Sequence, residues 1–250
     1  MRLIFLKWCR IEKIREFIKN IAILEHPKIK KNWKILLENH RFARPRQKLV
    51  DALREKGIND ERVLMAINKI ARHKLIDSGL HHCAYDDTAL PIAMGQTISQ
   101  PFTVAKQTEL LEIQKGHKIL EIGTGSSYQC MVLCEMGATV YSVERHNELY
   151  HQAKKSLQEQ GYRALLKAGD GTLGWSTYAP YDGIIVTAGA PVVPQELISQ
   201  LNIGGKLVIP VGDDKNQMML RITRTSETEY HQEEFENFRF VPLIGEKGWK

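Results

Sequence analysis

The sequence contains no apolar run near the ~20 residues that a membrane-spanning helix needs. Its first eight residues carry too short an apolar stretch for a signal peptide, and no small-residue cleavage site follows. The 4 cysteines form no paired C-x-x-C framework, and none of the 9 histidines shows metal-ligand spacing. These absences argue against a membrane protein, a disulfide-rich secreted domain and a metal site. We therefore expect a cytoplasmic protein that binds no metal.

Two of the cysteines lie close together in the chain. Cys130 and Cys134 are one helical turn apart. Because unpaired cysteine behaves as a small apolar residue in a reducing compartment, we predict that both are reduced residues in or near the core.

The charge is distributed unevenly along the chain. Of the formal net charge of +6, residues 1–46 contribute +9, which leaves about −3 on residues 47–250. We therefore divide the chain into a basic, helical N-terminal extension, residues 1–46, and one domain, residues 47–250. The length of 250 residues and the 43% apolar composition suffice for a sizeable core.

The extension contains an amphipathic pattern. Apolar residues recur at helical spacing and predict a helix over residues 11–21: Ile11, Ile14, Phe17 or Ile18, and Ile21. This helix either packs on the domain with solvated lysines or belongs to a weakly ordered stretch. A contact with nucleic acid or an anionic membrane is the alternative, but we expect neither partner.

Helical patterns open the domain. Residues 49–56 end at Gly57, a typical C-terminal glycine. Asn59 or Asp60 can cap the next helix, whose predicted apolar face comprises Val63, Leu64, Ile67 and Ile70.

After residue 117 short apolar strands alternate with helices. This alternation predicts an α/β fold with a doubly wound, mostly parallel sheet. The predicted strands are 118–122, 139–143, 164–167, 183–187 and 206–211, and the predicted helices are 128–136, 147–160 and 194–201. Residues 219–224 and 234–240 have no helix between them, so we expect an antiparallel pair at the sheet edge.

A glycine turn follows the first of these strands. Gly123, Thr124 and Gly125 would let a ligand approach the backbone between strand and helix. A dinucleotide fingerprint would place a third glycine where Tyr128 stands. Glu121 would repel a pyrophosphate but attract a cationic amine, which favours S-adenosylmethionine as the cofactor.

Acidic residues also follow the next two predicted strands. Glu144 lies nineteen residues after Gly125, where a carboxylate can accept hydrogen bonds from ribose hydroxyls; the alternative is an exposed charge at a strand end. Asp170 could accept the adenine amino group, with Gly171 beside the base. Asp-Gly is equally a general turn signal.

Several longer stretches are more specific than these single residues. They closely resemble protein-L-isoaspartate O-methyltransferases, and the resemblance covers roughly residues 47–244. The stretches are Asp87 to Ile92, Gly95 to Pro101, Leu120 to Ser126, Gly169 to Gly171, Ala179 to Asp182, Ala190-Pro191 and Gly204 to Gly212, with Arg72-His73 and Phe240 to Leu243. The stretch Gly95 to Ser99 discriminates most, because most methyltransferases of this fold share the glycine turn.

The resemblance implies an S-adenosylmethionine-dependent repair enzyme. Such an enzyme methylates the α-carboxylate of L-isoaspartyl residues in damaged proteins, and the ester then collapses to a succinimide whose hydrolysis partly restores aspartyl linkages. The resemblance makes Ser99 the catalytic residue, orienting the acceptor carboxylate. It places Thr97, Ile98 and Gln100 along the cofactor and Gln217 near it. We expect a monomer.

Some features leave alternatives open. Ser99 could instead simply cap the helix that begins near Pro101. Ser127 stands where the family usually has glycine; serine suits a helix N-terminus, so we expect the site to survive. The alternative functions are methylation of a different carboxylate acceptor, and a non-catalytic module that binds cofactor or isoaspartate. A dehydrogenase is the most distant alternative.

Overall fold

The computed structural model describes the backbone of residues 27–250 and the side chains of residues 41–250. The helix predicted over residues 11–21 lies outside the described residues. Contacts within the chain define two units, Met1–Gln47 and Lys48–Lys250. In the described part, no helix has both the length and the apolar character of a transmembrane segment.

Helix α1 spans Pro27–Glu55. The sequence predicted only its last part, from Leu49, and the predicted boundary after residue 46 falls inside it. Pro45 lies within the helix, and an interior proline ordinarily indicates a helix end because its ring removes a backbone donor. The boundary was predicted from the change in charge after residue 46, and a change in charge does not mark the end of a helix.

The structure confirms the predicted cap and apolar face of the second helix. Helix α2 (Glu61–Lys69) begins after Asp60, whose carboxylate accepts a hydrogen bond from the Arg62 amide. The predicted apolar face is buried: Val63, Leu64, Ile67 and Ile70. Short helical turns at Arg72–Leu75 and Ser78–Cys83 follow. Strands β1 (Leu90–Pro91) and β2 (Thr97–Ile98) then form a small antiparallel pair.

The main sheet has seven strands. They are β3 (Lys118–Ile122), β4 (Thr139–Glu144), β5 (Leu165–Ala168), β6 (Tyr181–Val186), β7 (Leu201–Gly212), β8 (Gln217–Arg224) and β9 (Tyr230–Phe238). Helix α3 (Pro101–Leu110) precedes them, and α4 (Tyr128–Glu135), α5 (Asn147–Gln160) and α6 (Gln195–Ser199) connect parallel strands. The order is β5-β4-β3-β6-β7-β8-β9.

The sheet has the predicted topology. Strands β3 to β7 pair in parallel, whereas β8 and β9 pair antiparallel at one edge. The α/β fold class is therefore confirmed. The chain moves outward from β3 to β5 and then returns to β6 on the other side of β3. This reversal is a topological switch point, where ligands bind at the carboxyl ends of the strands.

Most strand boundaries differ from the prediction by a few residues, and the start of β7 differs most. The predicted helix ran to Leu201 and the strand began at Lys206, but α6 ends at Ser199 and β7 begins at Leu201. Gly204 has φ of +82°, and a Cβ on Gly205 would lie 3.0 Å from the Tyr181 carbonyl oxygen. The two glycines accommodate an irregularity inside the strand. Because glycine is unusual inside a strand, the sequence did not indicate the residues that precede them as part of β7.

Candidate active site

A first cavity lies at the switch point, below the ends of β3, β4 and β6. Of the predicted site residues, it is lined by Thr97, Ser99, Gly123, Thr124, Gly125, Glu144 and Gly171. The structure thus brings together predicted residues from four separate segments of the chain. Ile98, Gln100, Glu121, Asp170 and Gln217 do not line this cavity, and their positions are given below.

The glycine turn after β3 is shaped by close contacts. Gly123 has φ of +96°, and a Cβ there would lie 2.4 Å from Thr187 Oγ1. The Thr187 hydroxyl, just after β6, donates to the Gly123 carbonyl at 2.6 Å. Only glycine fits this position without moving Thr187, because both the backbone angle and the space exclude a side chain.

Glu144 ends β4 and faces the turn. Its Oε2 accepts a hydrogen bond from the Gly125 amide at 2.8 Å, and its Oε1 accepts one from the His146 amide at 2.8 Å. The side chain is 4% exposed and lines the first cavity. Both carboxylate oxygens are therefore held in place beside the turn, and the carboxylate is a candidate acceptor for ligand hydroxyls.

Glu121 has a different position from the one predicted. Its carboxyl group is fully buried behind the turn and accepts a hydrogen bond from Ser142 Oγ at 2.5 Å. The Ser142 hydroxyl also pairs with the Thr124 hydroxyl at 2.6 Å. Burial raises the pKa of Glu121 to about 8, so the group is largely neutral at pH 7. It supports the turn through Ser142 rather than presenting a charge to a ligand.

Asp170 is engaged by protein donors. One oxygen accepts hydrogen bonds from the amide and hydroxyl of Thr172, and the other accepts one from the Glu246 amide at 2.7 Å. Burial alone would raise the pKa of Asp170, but these hydrogen bonds outweigh it and lower the pKa. The carboxylate thus anchors segment 242–249, of which Pro242 to Ile244 line the first cavity.

A second cavity adjoins the first. It is lined by residues of α3, of β9 and of the segment that follows β9, including Gln100, Phe102, Asn237, Phe238 and Arg239. Both cavities share four lining residues: Thr97, Ser99, Thr187 and Val241. Ile98, between Thr97 and Ser99, is fully buried. Ser99 therefore stands in the wall between the two cavities.

The helix-cap interpretation of Ser99 is wrong. Gln100 occupies the N-cap position of α3, and the first turn is capped by Asp87, whose Oδ1 accepts a hydrogen bond from the Phe102 amide at 2.8 Å. Within the described residues, the Ser99 hydroxyl makes no hydrogen bond. Because Asp87 performs the capping, that hydroxyl is available to a ligand.

Gln217 lies away from the first cavity. Its side chain accepts a hydrogen bond from the Phe240 amide at 2.8 Å and donates one to the Asp213 carbonyl. The side chain is 2% exposed. Gln217 thus ties the start of β8 to the segment that follows β9, which lines both cavities.

Ser127 adopts a backbone conformation that favours glycine. Its φ and ψ are +67° and +9°, and its side chain makes no capping hydrogen bond to the helix. The hydroxyl instead donates to the Ser126 carbonyl. The expectation that serine suits this helix start is therefore wrong, although the turn keeps its shape.

Sequence reasoning missed several lining residues. Thr187 could have been found from its place after a predicted strand at the switch point. Tyr128 and Gln129 also line the first cavity and, in the described part of the chain, the Tyr128 hydroxyl and Gln129 Oε1 are buried without a partner. Such atoms fit a cavity that takes a polar ligand. No three His, Cys, Asp or Glu side chains converge as a metal site among the described residues.

The cysteine prediction is confirmed. Cys130 and Cys134 are free thiols; the first is buried and the second partly buried. Cys83 is also a free thiol.

The fold and the cavity define a class: α/β proteins that bind a nucleoside-containing ligand at a switch point. Residues 44–248 match the family model described as protein-L-isoaspartate(D-aspartate) O-methyltransferase. The chain belongs to this family.

Individual relatives agree with the family. The chain is 55% identical over 204 residues to a protein-L-isoaspartate O-methyltransferase of Cytophaga hutchinsonii, covering 82% of this chain and 92% of the relative. The corresponding protein of Christiangramia forsetii is 56% identical over 211 residues, with 84% and 99% covered.

Two solved structures share the fold. A protein-L-isoaspartate O-methyltransferase aligns with a TM-score of 0.74 and 27% identity, covering 81% of this chain and 67% of the other. A putative protein-L-isoaspartate O-methyltransferase of Plasmodium falciparum, in complex with S-adenosyl-L-homocysteine, aligns with a TM-score of 0.69 and 23% identity, covering 79% and 97%.

Proposed function

We propose that this chain transfers the methyl group of S-adenosylmethionine to the α-carboxylate of L-isoaspartyl residues in damaged proteins and peptides. The observation that carries the proposal is the position of Ser99. Its hydroxyl makes no hydrogen bond within the described residues and lies in the wall shared by two cavities. A methyl donor in one cavity and an acceptor in the other would meet at this wall.

The first cavity fits the cofactor. Glu144 offers carboxylate oxygens suited to ribose hydroxyls, and the turn from Gly123 to Gly125 allows close approach of a ligand to the backbone. Gly171 lines the same cavity and lies below the segment anchored by Asp170. When bound, S-adenosylmethionine supplies an electrophilic methyl group on a sulfonium that is a good leaving group.

The second cavity suits the acceptor peptide. Residues 236–241 line it and include the polar side chains of Glu236, Asn237 and Arg239. The acceptor carboxylate is already ionised at neutral pH, so the chain needs no general base. Ser99 would donate a hydrogen bond to one carboxylate oxygen and leave the other directed at the first cavity. Catalysis then rests on alignment and on exclusion of water.

Repair follows from the product. The methyl ester closes to a succinimide, and hydrolysis of that ring restores part of the normal aspartyl linkage. The protein itself need only form the methyl ester and release it.

The test is transfer of labelled methyl from S-adenosylmethionine to matched isoaspartyl and aspartyl peptides. We expect base-labile label only on the isoaspartyl peptide, and we expect S99A to lower kcat/KM about tenfold or more, since one charge-assisted hydrogen bond is lost. S176A, which alters an exposed serine, is the control and should match the wild type. Label on a different carboxylate acceptor, or cofactor binding without any transfer, would reject the proposal.

We also propose that the enzyme acts as a monomer in the cytoplasm, with damaged proteins but neither nucleic acid nor membranes as partners. The free thiols among the described residues suit a reducing compartment. We propose residues 1–46 as an extension of a domain at 47–250. Deleting residues 1–45 should leave kcat/KM for the peptide unchanged; a large loss would assign the extension to the catalytic domain.

A further inference from the structure

The largest fully buried side chain of the described residues is charged. Arg72, in the turn after α2, is 0% exposed. Its guanidinium donates to three main-chain carbonyls: Ala84 at 2.6 Å, Thr88 at 2.9 Å and Ser99 at 3.1 Å. It also lies over the ring of Tyr128, 5.5 Å from the centroid. Arg72 thus contacts both the residue proposed as catalytic and a residue that lines the first cavity.

This charge has no ion-pair partner in the described part of the chain. The carboxylate whose charge acts on it, Asp87, is itself paired with Lys56 Nζ at 2.5 Å and bound to the Phe102 amide. Burial lowers the pKa of Arg72, but a guanidinium remains protonated at neutral pH. A positive charge therefore lies behind Ser99, bound by main-chain carbonyls and covered by the Tyr128 ring.

The peptide group between Ser99 and Gln100 lies between the Arg72 guanidinium and the second cavity. Its carbonyl accepts from Arg72, and in a trans peptide the N–H points the opposite way. Among the described residues the Gln100 N–H and the Ser99 hydroxyl have no acceptor, and both residues line the second cavity. When the carbonyl of a peptide group is hydrogen-bonded to a cation, the N–H of the same group becomes a stronger donor to an anion.

We propose that Arg72 is a positioning residue for the acceptor: its buried guanidinium fixes the Ser99 carbonyl and attracts the acceptor carboxylate to the Ser99 hydroxyl and the Gln100 amide. The inference rests on the proposed function and extends it to how the acceptor is selected. Arg72 does not touch the acceptor and acts only through the Ser99–Gln100 peptide and through its charge.

The chemistry of the reaction gives this role a distinct kinetic signature. The acceptor is an anion before transfer and a neutral ester afterwards, because the carboxylate oxygen forms a bond to the methyl carbon while the sulfur keeps the electron pair of the broken bond. The charge of Arg72 therefore stabilises bound substrate more than transition state or product. Interactions of this kind lower KM without raising kcat, and they favour release of the ester.

The test compares wild type with R72M and R72K on an isoaspartyl peptide. R72M should raise the peptide KM about tenfold, as expected for loss of a buried charge several ångströms from a carboxylate, and kcat should not fall, because the lost interaction favours bound substrate over the transition state. R72K keeps the charge and should fall between the two. A neutral isoasparaginyl peptide used as competitive inhibitor should keep the same inhibition constant in all three, and so should S-adenosylhomocysteine.

The control removes a nearby buried contact that does not reach Ser99. Tyr85 binds His73 Nδ1 at 2.7 Å, and Y85F should lower the melting temperature without changing the peptide KM. The proposal would be overturned if R72M bound the charged and the neutral peptide more weakly by the same factor. It would also be overturned if kcat fell while KM stayed unchanged. If R72M does not fold, R72K must still raise KM for the charged peptide alone. If wild type methylates no isoaspartyl peptide, the proposed function fails instead.

Discussion

The two walls of the active site are supported in opposite ways. The turn after β3, on the side proposed for the cationic cofactor, is backed by Glu121, a buried acid that is largely neutral at pH 7 and acts through Ser142. The loop before α3, on the side proposed for the anionic acceptor, is backed by Arg72, a buried cation bound to main-chain carbonyls.

This difference shows that one cavity wall can be held rigid by a buried support that is largely uncharged, while the other is held by a buried support that carries a charge. Behind the cofactor turn, a chain of hydroxyls fixes the geometry of Thr124 and leaves no net charge. Behind the acceptor loop, the group that holds the loop in place also carries a positive charge, which attracts an anion. The comparison predicts that pH and substitution affect the two walls differently.

The largest effect concerns Glu121. Its pKa is about 8 in the folded protein against an ordinary value of 4.5. The folded state therefore holds the proton more tightly, so this contribution to stability is complete below pH 4.5 and is lost as pH rises to about 8. The slope is at most about 1.4 kcal/mol per pH unit. E121Q cannot titrate, so in chemical denaturation its stability relative to wild type should increase from pH 5 to pH 8. Parallel curves would show that Glu121 is ionised throughout.

The next largest loss of stability is expected for a substitution in the glycine turn. G123A should destabilise the protein by about 3 kcal/mol, since the new Cβ would meet Thr187 at a positive φ. G125A is the matched control, because its Cβ would meet nothing within 4 Å, and it should cost only about 1 kcal/mol. Urea unfolding measures both, and similar losses would mean that the Thr187 contact is unimportant.

The acceptor wall can be weakened at Asp87. D87A removes the cap of α3 and the Lys56 ion pair, and should cost about 2 kcal/mol. Because Asp87 also accepts a hydrogen bond from the side chain of Gln100, next to Ser99, we also expect a lower kcat/KM for the peptide. Affinity for S-adenosylhomocysteine, measured by calorimetry, should be unaffected. D86A, at the exposed neighbouring residue, should behave as wild type; equal effects of the two would argue against a capping role.

The smallest effect lies at Ser127. S127G relieves a left-handed backbone in a fully buried residue and should stabilise the protein by up to about 1 kcal/mol, with the entropy of glycine offsetting part of the gain. S126G should instead destabilise it, because the Ser126 hydroxyl accepts a hydrogen bond from the Tyr128 amide. Melting temperatures of the two variants should therefore move in opposite directions.

Local patterns predicted the fold well wherever apolar residues were bounded by turn residues. Strand β3 and helix α5 have the predicted limits, and the antiparallel β8–β9 pair was expected. Predictions failed at two boundaries: the change in charge after residue 46 lies inside α1, and Gly204 lies inside β7.

The site was harder to predict because its support is not local. The roles assigned to Ser99 and Glu144 remain predictions, although both residues reach the cavity. Glu121 was expected to face the ligand, but a strand alternates its side chains and this one points behind the turn. The contact between Arg72 and Ser99 joins residues 27 positions apart, which no spacing rule indicates.

The wall shared by the two cavities sets the size of what can pass between them. Thr97, Ser99, Thr187 and Val241 line both cavities, and two of them are held in place, Thr187 by its hydrogen bonds to the glycine turn and Val241 by its bond to Gly189. A one-carbon unit needs little room there. We therefore expect cofactor analogues with longer alkyl or propargyl groups to be poorer donors, and V241A to improve their transfer.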